Sequence, residues 1–149
     1  MKMIKIHMLI IAALFITACS STPDKKIIEQ VSDSPENIKR TKKLFACSRF
    51  FEIIASQRPQ DAKKYIKLSQ QSKGLGLKII SSSIKGGGEI DSKLITKYIH
   101  HGNYQSIQWL KEIGNDKTEK RYPQITIDCY KTNQLEALFE IVEDINQKL

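Results

Sequence analysis

Three kinds of residue in this chain could in principle do chemistry: two adjacent histidines, two glycine-rich stretches, the second of them beside carboxylates, and three cysteines. His100 and His101 follow one another, and successive residues on a helix point about 100° apart, so they cannot converge on one metal ion as an i, i+4 pair does. His100 is expected to face solvent. The stretches "SKGLGLK" and "IKGGGEI" superficially suggest phosphate loops, yet neither follows a strand or completes a nucleotide-binding pattern. They read as packing and punctuation. No serine sits in a nucleophile elbow, and Glu89 and Asp91 are placed as helix-start acids rather than as an acid/base pair. The sequence therefore leads to the expectation of no catalytic residues, no metal and no cofactor.

Cys19 stands in a more informative place. Lys2 and Lys5 give a charged start, an uncharged apolar run follows from Met8 to Ile16, and the sequence "LFITACSS" then turns polar at the cysteine. This is the layout of a secretory signal. About nine apolar residues fall well short of the roughly 20 that span a bilayer, so a permanent transmembrane anchor is the weaker reading. Ile16, Thr17, Ala18 and Cys19 together resemble the bacterial lipoprotein box, in which the cysteine becomes the first residue of the mature chain. By that resemblance residues 1–18 are cleaved, the Cys19 thiol carries a diacylglycerol and the freed amine a further acyl chain. More than one chain, at roughly 0.8 kcal/mol per buried methylene, means stable anchoring in a membrane. Ser20 and Ser21 follow, with no acidic residue of the kind associated with inner-membrane retention. The resemblance thus implies the periplasmic face of the outer membrane.

Residues 19–34 read as a polar tether, in which only Ile27, Ile28 and Val31 are apolar. Such a stretch could extend on the order of 50 Å. The whole chain carries 24 basic and 16 acidic residues, a net +8; without Lys2 and Lys5 the mature part holds 22 basic residues and a net +6. An excess of this size suits an anionic lipid surface, a cell-wall polymer or an acidic protein without choosing among them. Nucleic acid is not an expected partner of an exported chain. Residues 35–149 are enough for one core.

With Cys19 consumed by lipid, Cys47 and Cys129 remain, an even pair in a compartment that permits oxidation. They are expected to be bonded. A free reactive Cys47 would need a nearby base, which the local sequence does not supply. A bridge closing a loop of roughly 80 residues contributes on the order of 4 kcal/mol in the chain-entropy account.

Four segments carry helical periodicity, and nothing alternates convincingly enough for a sheet. The first is capped by Ser34, has Pro35 at its first position, runs to about Gln57 and places Leu44, Cys47, Phe51 and Ile54 on one face. The second runs from near Pro59 to about Lys85, with Ala62, Tyr65, Ser69, Ser72, Gly76, Ile79, Ile80 and Ser83 in a stripe whose small residues admit a close neighbour. Gly86, Gly87 and Gly88 end it. The third starts at Asp91 or Ser92, aligns Ile95, Tyr98, Ile99, Gly102, Ser106, Trp109, Leu110 and Ile113, and stops at Gly114 and Asn115. The fourth lies between Pro123 and Leu149. Leu135, Leu138, Phe139, Val142, Ile145 and Leu149 share its apolar face, while Ile125 and Cys129 drift off it, so a break near Thr132 or Asn133 is one of two readings. The expected fold is all-α, a small bundle of about four helices with one disulfide.

Opposite the apolar face of the first helix, Ile38, Lys42, Phe45, Arg49 and Ile53 fall together. Interleaved basic and apolar groups are common on surfaces that meet a partner or a lipid headgroup, and Lys42, Phe45, Arg49 and Ile53 are the expected partner contacts. The competing reading is that this helix is central and buried on two sides. With the export signal, the paired cysteines and the helical bundle, the phrase "CSRFFEII" resembles the periplasmic helical immunity proteins that neutralise cell-wall amidase toxins of type VI secretion. That resemblance implies a protein partner and assigns no contact residue. The expected function is a lipid-anchored envelope protein that binds a partner protein, in a protective or envelope-assembly role. The alternative is a small envelope hydrolase or transferase acting on cell-wall or lipid substrate.

Overall fold

The described residues fold as four α-helices, with the first at the centre. The computed structural model describes residues 34–84 and 89–148, all within one compact unit, Val31–Leu149. The lipoprotein box, Cys19, the tether and the three successive glycines lie outside the described residues. Helix α1 spans Pro35–Gln57, a short 3-10 turn Pro59–Asp61 leads into α2, Ala62–Ser83, and α3 and α4 span Ser92–Asn115 and Arg121–Lys148. No strand occurs among the described residues.

Local chemistry sets these limits. The Ser34 hydroxyl accepts from the Asn37 backbone N–H at 3.1 Å, and Pro35, which has no N–H to satisfy, occupies the first turn of α1. Pro59 then prevents α1 from continuing. The Asp91 carboxylate caps α3 by accepting from the Lys93 N–H at 2.7 Å. Gly114 and Asn115 are the last two residues of α3, with Asp116 as its C-cap, and α4 begins two residues before Pro123. Asp116 closes the loop between them, with its two oxygens accepting from the N–H groups of Thr118 and Arg121 at 2.9 and 2.6 Å.

Five consecutive residues of α1, Leu44 to Ser48, are buried. At 100° per residue they cover every azimuth of the helix, so α1 is surrounded at its middle. Helices α2 and α3 form its principal walls, and α4 lies mainly on α2 with smaller contacts to α1 and α3. One part of the core gathers Phe50, Phe51, Ile54, Tyr65, Ile125 and the two cysteines; the other joins Phe45 to Ile80 and Tyr98. The second stripe holds its place, with Tyr65, Ser69, Ser72, Gly76, Ile80 and Ser83 buried on α2. On α3, Tyr98, Gly102 and Ser106 are buried, but Ile99 is exposed.

Cys47 and Cys129 are bonded, with an S–S distance of 2.08 Å and their Cα atoms 5.4 Å apart. Helix α4 is continuous through Thr132 and Asn133. Asn133 is buried instead of marking a break: its amide donates to the Leu68 carbonyl at 3.1 Å, and Ser72 Oγ donates to its Oδ1 at 2.7 Å. Every buried side-chain nitrogen and oxygen among the described residues has a hydrogen-bond partner.

Candidate functional site

The mixed face expected on α1 does not exist as a surface. Phe45 is only 3% exposed; its ring stacks on Tyr98 with centroids 5.7 Å apart and lies against Gly76 of α2. Arg49 is exposed and paired with Glu52 one turn along the same helix at 2.9 Å, while Lys42 and Ile53 are half-buried. The physical reason is the central position of α1, whose apolar residues are needed on every side. Of that set, Ile38 and Lys42 stay together at the α1/α3 boundary, and Phe45 and Arg49 do not join them there.

That boundary is a groove of about 400 Å³ lined from α1 by Pro35, Ile38, Lys39, Lys42, Lys43 and Ala46, and from α3 by His101, Gln105 and Trp109. Trp109 meets Phe50 edge-on, with centroids 6.0 Å apart and ring planes at 88°, so its indole is a fixed wall. Partial burial, and then the Lys42 ammonium, hold His101 below the usual histidine range. Sequence reasoning named Ile38 and Lys42 and left out the α3 wall. The signal was the i, i+4, i+8 spacing of His101, Gln105 and Trp109, which puts them on one side of α3.

A second surface departs from expectation in the opposite sense. The apolar face of α4 points outward: Leu135, Leu138, Phe139, Ile141, Val142 and Ile145 are between 47% and 61% exposed. The buried side of α4 is Ile125, Cys129, Asn133 and Glu136. Leu138 is nine residues from Cys129, half a turn round at 100° per residue. Once the disulfide turns Cys129 inward, Leu138 and its neighbours must face away. The inward face is held by polar contacts, since Glu136 accepts from Arg40 Nε at 3.0 and 3.1 Å in addition to the Asn133 bonds. Arg40 also lies over the Phe139 ring, 5.2 Å from its centroid, and Lys78 pairs with Glu140.

Elsewhere the described residues contain no cluster of three or more His, Cys, Asp or Glu that could hold a metal. Tyr65 and Tyr122 meet through their hydroxyls at 3.2 Å, and burial raises Tyr122 above the usual phenol range; Arg58 stacks on its ring at 4.6 Å. This pair closes the end of the core near α2's start. Compared with protein-family models, with curated proteins and with solved structures, the chain finds no match.

Proposed function

We propose that this is a lipid-anchored envelope protein that works by holding a partner protein against the outward face of α4. The single observation that carries this reading is the row of six large apolar side chains, each about half exposed, on the last half of that helix. Together they present on the order of 500 Å² of apolar surface, near the upper end of what a monomer's largest patch reaches. Leu135, Leu138, Val142 and Ile145 follow one another at spacings of three, four and three, the seam by which one helix packs along another. Charge sets the chemistry of the partner. From Gln134 to Lys148 the sequence holds Glu136, Glu140, Glu143 and Asp144 against one lysine; Glu136 and Glu140 are paired within the fold with Arg40 and Lys78, so the matching surface is an apolar helical stripe with at most a modest basic flank. A segment with one basic residue argues against an anionic bilayer, which is met by basic amphipathic helices.

Anchoring is proposed through Cys19, on the strength of the lipoprotein box. No helix among the described residues is long and apolar enough to cross a membrane. Residues 1–18 would be the cleaved signal, 19–34 the tether, and the outer membrane's periplasmic face the location. A protective role of the kind the immunity-protein resemblance implies fits such an arrangement.

The test is in-cell crosslinking from a photoreactive residue at Ile141. A discrete adduct that disappears when Leu138→Asp is added, with the helical signal of the purified variant unchanged, supports the reading. An adduct indifferent to Leu138→Asp removes α4 from it. For the anchor, a fatty-acid label retained by Cys19→Ser would sink that part alone.

A further inference from the structure

We propose that the groove between α1 and α3 binds an acidic peptide segment bearing apolar side chains, contributed by another protein. Its floor is apolar, formed by Ile38, Ala46 and the Trp109 indole, and Lys39, Lys42 and Lys43 stand along its α1 edge. No carboxylate lines it. Lys42 and Lys43 stand one turn of α1 beyond Lys39, about 5 to 6 Å along the helix, and alternate side chains of an extended peptide are about 6 to 7 Å apart. A ligand with carboxylates at intervals matches that spacing. From Pro35 to Ala46 the α1 wall runs roughly 16 Å at 1.5 Å per residue, enough for about five extended residues at about 3.3 Å each.

The α3 wall supplies the complementary polar groups. Gln105 can donate or accept, and His101, kept from protonating by burial and by Lys42, offers one donor and one acceptor nitrogen instead of a third repelling charge. A flat headgroup layer cannot reach a concave floor, whereas a side chain inserted from an extended peptide can. This inference does not use α4 and stands or falls separately from the reading above.

The chain holds one tryptophan, and it is Trp109, so no other indole contributes to the emission that reports on this groove. The full-length chain carrying Cys19→Ser is titrated with a synthetic peptide of about six alternating Glu and Leu residues, with the Gln–Leu counterpart, and with phosphatidylglycerol vesicles. Expected is a saturable blue shift with the Glu–Leu peptide, at least tenfold weaker with Gln–Leu and weakened by added salt. Combining Lys42→Glu and Lys43→Glu should weaken it at least tenfold, whereas Leu138→Asp should not alter it. Should the double variant lose its helical signal, Lys39→Glu, at an exposed position, gives the same comparison with an expected loss of about threefold. No shift with the Glu–Leu peptide, or an equal shift with Gln–Leu, overturns the proposal. So does a lysine-dependent shift given by the vesicles and not by the peptide, which would make the occupant a lipid.

Discussion

Gly102 of α3 sits directly on the backbone of Phe45 in α1: a β-carbon there would stand 2.7 Å from the Phe45 carbonyl oxygen and 2.8 Å from its carbonyl carbon. No side chain can move aside to relieve such a contact. Gly102→Ala is therefore expected to destabilise the protein, because overpacking of about 1 to 3 kcal/mol exceeds the roughly 1 kcal/mol that alanine contributes to a helix interior. Gly74, whose added β-carbon would meet nothing within 4 Å, is the control. Gly74→Ala should raise the melting temperature where Gly102→Ala lowers it. If both raise it, the helices are not this close.

Phe45 and Leu138 make a second comparison. Phe45→Ala empties space between three helices and should cost about 3 to 5 kcal/mol. Leu138→Ala, on an exposed position of α4, should stay within about 0.5 kcal/mol of the parent. Urea melts of the two variants measure both. A large loss with Leu138→Ala would mean that the outward face of α4 is covered within the monomer.

The disulfide makes a third. Thiol titration of the unreduced, unfolded protein should find neither Cys47 nor Cys129 free. Replacing both by Ala should lower stability by about 2 to 4 kcal/mol while retaining the helical signal, since Phe50, Phe51, Ile54, Tyr65 and Ile125 still form a core when the sulfurs are removed.

Acid stability should carry the mark of Asp116. Hydrogen bonds from the Thr118 hydroxyl and backbone N–H, and then from the Arg121 N–H, lower its carboxyl from 3.8 to about 2. A carboxyl depressed in the folded state contributes stability that is fully present above its unfolded value and is lost as pH falls through the folded one. The difference in melting temperature between the parent and Asp116→Ala should accordingly be constant above about pH 5 and close between about pH 4 and 2. A difference that persists unchanged at pH 2 would show that the loop is held by something other than the carboxylate.

His101 reports with the same sign at higher pH, although here it is the neutral form that the fold favours. Its pKa lies below the ordinary 6.5 through burial first and Lys42 second, so Lys42→Gln should raise it only in part. The sign for stability follows: the folded state resists this proton, and a contribution present above 6.5 is lost as pH falls through the lowered value. Imidazole chemical shifts followed against pH distinguish these cases, and no change with Lys42→Gln would contradict the assignment of the second cause.

The fold was legible where apolar and small residues define a single face. Ser34 and Pro35 mark the start of α1, and Tyr65, Ser69, Ser72, Gly76 and Ile80 mark the inward side of α2, because capping and close helix approach are local requirements. Helix α4 was misread for a nonlocal reason. Its largest apolar stripe is the face a helix ordinarily turns inward, yet its inward face is fixed by a bond to Cys47 and by hydrogen bonds to Ser72, Leu68 and Arg40, partners 61 to 96 positions away. Hydrophobicity ranks faces, and here covalent and polar contacts outranked it. Phe45 failed in the complementary way: as one side of an amphipathic helix it reads as exposed, and only the arrival of α2 and α3 on both flanks hides it. The groove was half visible, in Lys42 and Ile38, because its other wall comes from a helix some 60 residues on.

The bond between Cys47 and Cys129 acts as a rotational pin, and that separates two kinds of constraint along one helix. The roll of α4 is set mainly from its inner side, so substitutions at Leu135, Leu138, Val142 or Ile145 can change the character of the outer side without asking the bundle to refold. Under the reading proposed above, the surface that would meet a partner can therefore vary while the scaffold stays still.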